Sequence, residues 1–198
     1  QMTTPILLLA AGSASRMRGG DKLLEDVHGA PCLQVMAKRA LATGQPVLVT
    51  MPSLNHPRAA CLRGLELSVI EVPNADLGMS HSLQRGVAAL PNNAKAVMIL
   101  PADMPDITTD DMNEMLDAFV VTNATAMRAT TQDGATGHPT LVGMNLFEQF
   151  RKLTGDKGAN AILSALGDSL MLHALKGDRA RIDLDTPEDW SAWRARTQ

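Results

Sequence analysis

Pro5-Ile6-Leu7-Leu8-Leu9-Ala10 runs directly into Ala11-Gly12-Ser13-Ala14-Ser15-Arg16-Met17-Arg18-Gly19-Gly20-Asp21-Lys22. The first segment has no polar side chain. A strand that is apolar at every position is buried on both faces, the mark of a parallel sheet covered by helices. The second segment is mostly small, with bases interspersed. Such a loop at the carboxyl end of a first parallel strand brings its backbone N–H groups close to an anion, above all a phosphate chain. Arg16 and Lys22 add charge, arginine gripping a phosphate with two prongs and lysine acting as a point charge. Two common phosphate loops do not fit: Asp21 separates Gly20 from Lys22, which breaks the Walker A order, and no G-x-G-x-x-G is present.

Outward from this stretch, further apolar runs occupy Pro46–Met51, Leu67–Val72 and Ala96–Leu100. Between them, apolar residues recur with helical spacing at Leu33, Ala37 and Leu41, at Leu83, Val87 and Leu90, and at Met112, Met115, Leu116 and Phe119. Alternating strand and helix predicts an α/β chain, a three-layer α/β/α sandwich around a mostly parallel, Rossmann-like sheet. Further on, Thr125–Thr131, Ser169–Leu175 and Arg181–Leu184 read as strands. Leu146–Leu153 and Ala159–Leu166 read as helices, and Asp133–Gly137 as a turn or loop. Thr186-Pro187-Glu188-Asp189 opens a last helix, with Thr as cap, Pro at the first position and acids in the first turn. No repeat or linker interrupts residues 1–198, which read as one domain.

Composition narrows the classes. Hydrophobic residues make up 45% and charged residues 20% of the 198 positions, an ordinary globular balance. With three Phe, two Trp and no Tyr, the core must rest on aliphatic residues and on the twelve methionines, read here as core filler. A net charge of −3 gives no bulk attraction to nucleic acid or acidic lipid. Cys32 and Cys61 have no CxxC spacing, which argues against a disulfide scaffold or zinc site and suits a reducing compartment. The run Ile6–Ala11 is too short to span a bilayer and no basic segment precedes it, so neither a membrane span nor a secretory signal is expected. A cytoplasmic protein is predicted.

Candidate acids lie at strand ends. Asp103 follows the apolar run ending at Leu100, and in open α/β sheets ligands bind beyond the carboxyl ends of strands. A carboxylate there suits Mg²⁺, which takes one or two carboxylates plus phosphate oxygens and waters. The alternative is that Asp103 shapes a turn with Pro101 and Pro105. Asp183 and Asp185, two apart on a short strand, point to one face. Acids brought together repel, and a divalent cation is a reason to keep them ionised. Thr186 fills the helix cap, leaving Asp185 for metal. Ser80 and Ser82, in a Gly-led loop, either cap the following helix or contact a base; Asn74 is placed to bond a base or ribose. His138, a lone histidine in an apparent loop, has an incidental structural role as its alternative.

The order Leu9-Ala10-Ala11-Gly12-Ser13-Ala14-Ser15-Arg16-Met17, then Asp21-Lys22-Leu23-Leu24, resembles the signature of the MobA-like nucleotidyltransferases, most of all the molybdenum cofactor cytidylyltransferases. Leu100–Pro105 is similar to that family's metal-binding segment. Gly78-Met79-Ser80 through Ser82-Leu83, Gly137-His138-Pro139, Gly155-Asp156-Lys157-Gly158-Ala159 and Asp183-Leu184-Asp185-Thr186-Pro187 also match, in family order. The resemblance implies a sheet of the nucleotide-diphospho-sugar transferase type. It implies transfer of a nucleoside monophosphate from CTP to molybdenum-bound molybdopterin, with release of pyrophosphate. Arg16, Lys22 and Asp103 would be catalytic. Leu9, Ala10, Ala11, Gly12, Ser13, Ser15, Arg16, Lys22, Asn74, Gly78, Ser80 and Ser82 would surround the nucleotide. Asp103 and Asp185 would hold Mg²⁺, and His138 and Asp156 would lie on the acceptor side. CTP is favoured because Ala11 stands where guanylyltransferase relatives usually carry Gly, and an extra methyl beside the base suits a smaller pyrimidine. Use of GTP, a sugar-phosphate acceptor, and a non-catalytic carrier handing the cofactor to a molybdoenzyme are the alternatives. Docking to a molybdoenzyme fits the expected product; nucleic acid and membrane partners are not expected. The sequence departs from the pattern at Arg18, where a glycine usually follows Arg-Met.

Overall fold

The first apolar run forms β1 (Ile6–Leu9), and everything that positions the site is arranged about it. The computed structural model describes residues 1–197. After β1 come β2 (Asp26–Val27), β3 (Ala30–Pro31), β4 (Val47–Met51), β5 (Ser68–Glu71) and β6 (Ala96–Pro101). The later strands are β7 (Ala126–Thr130), β8 (Thr136–Gly143) and β9 (Leu170–Ala174). The α-helices are α1 (Cys32–Leu41), α2 (Met79–Ala88), α3 (Thr109–Thr122), α4 (Phe147–Arg151), α5 (Asn160–Ser164) and α6 (Pro187–Thr197).

The main sheet has the order β5-β4-β1-β6-β8-β7-β9. All its strands run parallel except β8, which is antiparallel to both β6 and β7. The chain first builds outward from β1 to β4 and β5, then returns to place β6 on the other side of β1. That reversal opens a crevice at the carboxyl ends of β1 and β6, where open α/β sheets bind ligands.

Both faces of the sheet are covered. Ile6, Leu8, Met98, Leu100 and Met127 belong to one core, with Leu33 and Met36 of α1, Met112 and Met115 of α3, and Trp190 and Trp193 of α6. Leu7, Val97, Ile99 and Val142 belong to the other, with Leu83 and Val87 of α2, Phe147 and Phe150 of α4, and Ile162 and Leu163 of α5. Adjacent strand residues thus feed opposite cores, as the period-2 pleat requires. Each large side chain so buried contributes about 1.5–3 kcal/mol relative to exposure. Gly86 lets α2 lie close on β1, since a Cβ there would meet Leu7 Cδ2 at 2.6 Å. Met17, Met36, Met51, Met98, Met104, Met112, Met115 and Met127 are buried, in keeping with the filler role. No helix among the described residues is long and apolar enough to cross a membrane.

Two segments differ from expectation. Arg181–Leu184 pairs with no strand; its anchor is the Leu184 N–H, which donates to the Asp103 carbonyl at 3.1 Å. Conversely, Gly137-His138-Pro139 is not a loop but part of β8, just before the stretch that pairs with β6. Proline cannot donate to a ladder and normally argues against an interior strand. Here the pairing is irregular at that point: Arg128 pairs with Thr140 and Thr130 with Thr136, so two steps along β7 span four along β8. The bulge takes up the proline. The β2–β3 hairpin, turning at His28 and Gly29 with φ of 51° and 99°, has no counterpart in the sequence reading.

Candidate active site

The loop after β1 is fixed at several points. Ala10 N–H donates to Thr50 Oγ1 at 3.1 Å. Ser15–Met17 makes a 3₁₀ turn that buries Met17 in the core. Arg18 then adopts the left-handed conformation, φ 52° and ψ 51°, followed by Gly19 at φ 98°. So the residue standing in place of a glycine takes a conformation glycine favours. Its guanidinium forks onto Glu188 of α6, Nη1 to Oε2 at 3.2 Å and Nη2 to Oε1 at 2.5 Å.

Arg58 braces both ends of the same loop from within. It lies on the 3₁₀ segment Pro57–Leu62 after β4 and is only 2% exposed. Nη1 donates to the carbonyls of Ala10 (2.7 Å) and Gly12 (2.8 Å), while Nε and Nη2 reach the two oxygens of Asp21 at 2.8 and 3.0 Å. Sequence reasoning passed over Arg58, because a lone arginine in an irregular segment carries no spacing signal. Only the fold brings it under the loop.

Beyond the loop, three distant acids meet. Lys22 Nζ donates to Asp103 Oδ2 at 2.8 Å and to Asp185 Oδ1 at 2.6 Å, and Arg16 Nη2 lies 3.1 Å from Asp185 Oδ2. Asp183 joins them: each of Asp103, Asp183 and Asp185 offers an oxygen within 4.8 Å of the others. The two-apart spacing therefore does bring Asp183 and Asp185 together, though on an extended segment rather than a strand.

The electrostatics are those of crowded charge in a half-dry crevice. Burial, aided by Asp185 and Asp183, pushes the Asp103 carboxyl above its usual range despite Lys22. Burial and the Asp185 charge likewise raise Asp183. For Asp185, burial pushes upward too, but the Lys22 hydrogen bond and charge and the Arg16 charge outweigh it and hold it low. Burial disfavours charge on Lys22, yet its two carboxylate partners prevail and keep it an ammonium. Asp103 Oδ1 is buried with no hydrogen-bond partner. Three converging carboxylates, one with an orphaned oxygen, form a donor set suited to a hard divalent cation.

Three cavities border the loop and this cluster. One of about 560 Å³ follows the outer side of the loop, bordered by Ala11, Gly12, Ser13 and Ser15 and by Pro52, Val72 and Asp76. A smaller one of about 220 Å³ is lined by Leu9, Ala10, Ala11, Gly12, Lys22, Ser82 and Asp103. Ala11, 4% exposed, borders both. A third, of about 560 Å³, opens on the other side of the acids and reaches Arg128, His138, Asn160 and Arg181. Burial and the Arg128 charge push His138 down to about 4, so it is neutral near pH 7.

The remaining candidates stand apart from these walls. Asn74 is exposed at the head of the 3₁₀ turn Ala75–Leu77. Ser80 is fully buried, and its hydroxyl donates to Gly155 O at 2.5 Å. Gly78, at φ 134°, leaves no room for a Cβ, which would lie 2.3 Å from Gly155 O and 2.8 Å from Asp156 Oδ1. Gly78 and Ser80 thus join the start of α2 to the 155–158 loop, on which Asp156 is exposed; no side chain caps α2.

The MobA-like NTP transferase domain matches residues 6–170 of this chain. The bifunctional protein GlmU of Desulfotalea psychrophila is 32% identical over 133 residues, which cover 65% of this chain and 38% of that protein. The chain spans less than two fifths of the curated relatives it matches. Among solved structures, Rv0371c from Mycobacterium tuberculosis H37Rv superposes with a TM-score of 0.84 at 21% identity, over 97% of both chains. The same protein is known in complex with manganese, with a TM-score of 0.78, 22% identity and coverage of 96% and 97%. CMP:2-keto-3-deoxy-manno-octonic acid synthetase complexed with CTP superposes at 0.73 with 15% identity, over 98% of both chains. At these identities the structures share a fold with this chain. With the domain match covering most of its length and a crevice at the switch point of the matching sheet, this chain belongs to the MobA-like NTP transferase domain family.

Proposed function

We propose that residues 1–198 act as one cytoplasmic domain that transfers a cytidylyl group from CTP to molybdenum-bound molybdopterin, releasing pyrophosphate. The observation that carries this reading is the meeting of Lys22, Asp103 and Asp185 at the carboxyl ends of β1 and β6, with Asp103 Oδ1 left unpartnered. Leu9, Ala10, Ala11 and Ser82 would border the nucleoside, Asn74 would reach it from its exposed turn, and Gly78 and Ser80 would act by fixing the start of α2 against the 155–158 loop. Gly12, Ser13 and Ser15 would follow the triphosphate. Arg16 and Lys22 would neutralise phosphate charge as it shifts toward the leaving pyrophosphate. Asp103 and Asp185, with Asp183 beside them, would hold Mg²⁺, which when bound supplies further charge neutralisation at the phosphates. The manganese complex of Rv0371c supports a divalent ion here.

A phosphate oxygen of the acceptor forms the new bond to the α-phosphorus, and the α–β bridging bond breaks with pyrophosphate leaving. The chain's part is positioning and charge, and no side-chain nucleophile is required. His138, neutral near pH 7, and Asp156 would lie toward the acceptor. The methyl of Ala11, buried at the border of two cavities, supports a pyrimidine over a purine. CTP in the structurally similar synthetase supports it too.

A sugar-phosphate acceptor is the second reading, favoured by the 32% identity to GlmU. Pyrophosphate release is to be measured with CTP, GTP, UTP and ATP, each with the molybdenum-loaded pterin or a panel of sugar 1-phosphates. Release with CTP and the pterin alone is expected. Release only with sugar phosphates would replace the acceptor, and release only with GTP would replace the base. Nucleotide binding without pyrophosphate from any acceptor would make the chain a carrier.

A further inference from the structure

We propose that Arg128 and Arg181 form an anion subsite in the acceptor half of the crevice, taking an acidic group of the acceptor other than the phosphate that attacks. The inference rests on the nucleotidyltransferase reading and adds to it a requirement on the acceptor: two separated anionic ends.

The argument begins with unpaired charge. Arg128 projects from β7 and is partly buried, with Nε donating to Gly137 O at 3.2 Å and Nη1 to Asn160 Oδ1 at 2.7 Å. Arg181 Nη1 donates to Thr136 O at 3.0 Å. Among the described residues neither forms a salt bridge, whereas Arg16, Arg18, Lys22, Arg58 and Arg179 all do. A guanidinium partly withdrawn from water, as that of Arg128 is, ordinarily pairs with an acid, and the exposed Arg181 adds a second free charge beside it. Both line the 560 Å³ cavity that Asp103, Asp183 and Asp185 also line. Asp103 and Asp185 are already engaged with Lys22 and Arg16, and Asp183 lies beside them in the acid cluster. His138, in the same lining, is neutral and supplies no counter-charge. The Arg181 charge acts on Arg128, and burial together with that repulsion lowers the Arg128 pKa.

The backbone that carries Arg181 is braced. His138 N–H donates to Ala180 O at 2.8 Å, and a Cβ on Gly137 would lie 1.9 Å from that same oxygen. The turn that carries Arg181 is thus zipped to β8, the neighbour of β7. Two forked donors that line one cavity and pair with no acid are suited to an oxyanion. Beside them a cavity of about 200 Å³, lined by Leu83, Ile99 and Leu163, offers an apolar seat for the body of the acceptor.

The test is calorimetric titration of inorganic phosphate, and separately of molybdate, into the full chain presaturated with Mg²⁺ and α,β-methylene-CTP. That ligand occupies the Lys22 end, so the titration reads the arginine end. One equivalent of oxyanion is expected. R181Q, an exposed position whose change spares the fold, and R128Q should each weaken it about tenfold or more. R128K should not restore it, since an ammonium lacks the fork. R151Q, a surface control, should bind as wild type. Tighter molybdate than phosphate would assign the end to an anionic metal-oxo group, and the reverse to a phosphate or carboxylate. Wild-type protein that binds neither anion, or R181Q and R128Q that bind both unchanged, would overturn the subsite while the nucleotide reading stands. If the nucleotide analogue itself fails to bind, that reading fails; the same titrations on the nucleotide-free chain still decide the subsite by whether R181Q loses the anion.

Discussion

Lys22 stands where three carboxylates would otherwise repel one another, and its Nζ bonds to both Asp103 and Asp185. The Lys22→Ala and Asp103→Ala variants should each lose turnover by about 10³-fold or more, the scale of a key charge in phosphoryl transfer. Circular dichroism should show the fold intact, and near-wild-type activity in either would sink the assignment. His138 gives a separate prediction. Its folded pKa of about 4 lies below the ordinary 6.5, so between those values the unfolded chain binds more protons. Stability contributed by keeping it neutral is present above pH 6.5 and is lost as pH falls toward 4. Between pH 7 and pH 5 the loss is up to about 2 kcal/mol, less whatever solvent screening removes. Urea midpoints at the two pH values should differ less in His138→Gln than in wild type; equal differences would refute the burial argument.

At the scale of elements, two joints shape the crevice. Arg58 ties the two ends of the nucleotide loop to the segment after β4. Removing one partner of a buried ion pair costs about 3–5 kcal/mol, because the other is left unpaired. Arg58→Met should therefore lower Tm and raise the KM for nucleotide more than that for acceptor. Arg58→Lys should not rescue either, since an ammonium cannot fork to Asp21 and also reach two carbonyls. An unchanged nucleotide KM in Arg58→Met would show that the loop holds its shape alone. The second joint is Gly78 against the 155–158 loop. Gly78→Ala must displace Gly155 O, which a Cβ would approach to 2.3 Å. It should cost about 1–3 kcal/mol, read as a lower urea midpoint. A midpoint equal to wild type would mean that this contact is not tight in solution. The strand β8 shows why element reading failed locally: His138-Pro139 carries turn chemistry, and only the pairing of its neighbours on both sides makes it a strand.

For the whole molecule, the site is an assembly of residues 22, 103, 183 and 185, so binding a cation there should stabilise the fold as a unit. Mn²⁺ or Mg²⁺ at about 100 times its Kd should add ~2.7 kcal/mol, seen as a Tm several degrees above that in EDTA. Asp103→Asn should abolish the shift, and a shift that survives it would place the ion elsewhere. The layered architecture was legible because it follows from local rules. Runs such as Ile6–Leu9 and Ala96–Pro101 are buried on both faces and contain no polar position, and the helices between them keep one apolar stripe. Thr186-Pro187-Glu188-Asp189 was legible for the same reason: Asp189 N–H donates to Thr186 Oγ1 at 3.1 Å, and Thr186 N–H to Asp189 Oδ2 at 3.1 Å. By itself, then, the sequence determined the α/β/α layers, the small-residue loop after β1 and the place of Asp103 beyond the end of β6, because backbone period and turn chemistry act over a few residues. Tertiary structure alone decided that Lys22 bridges Asp103 and Asp185, that buried Arg58 braces the loop, that Arg18 takes a glycine's conformation against Glu188, and that Arg128 and Arg181 share a wall. Those contacts join residues tens of positions apart in the chain, and nothing in local spacing encodes which distant side chain will arrive.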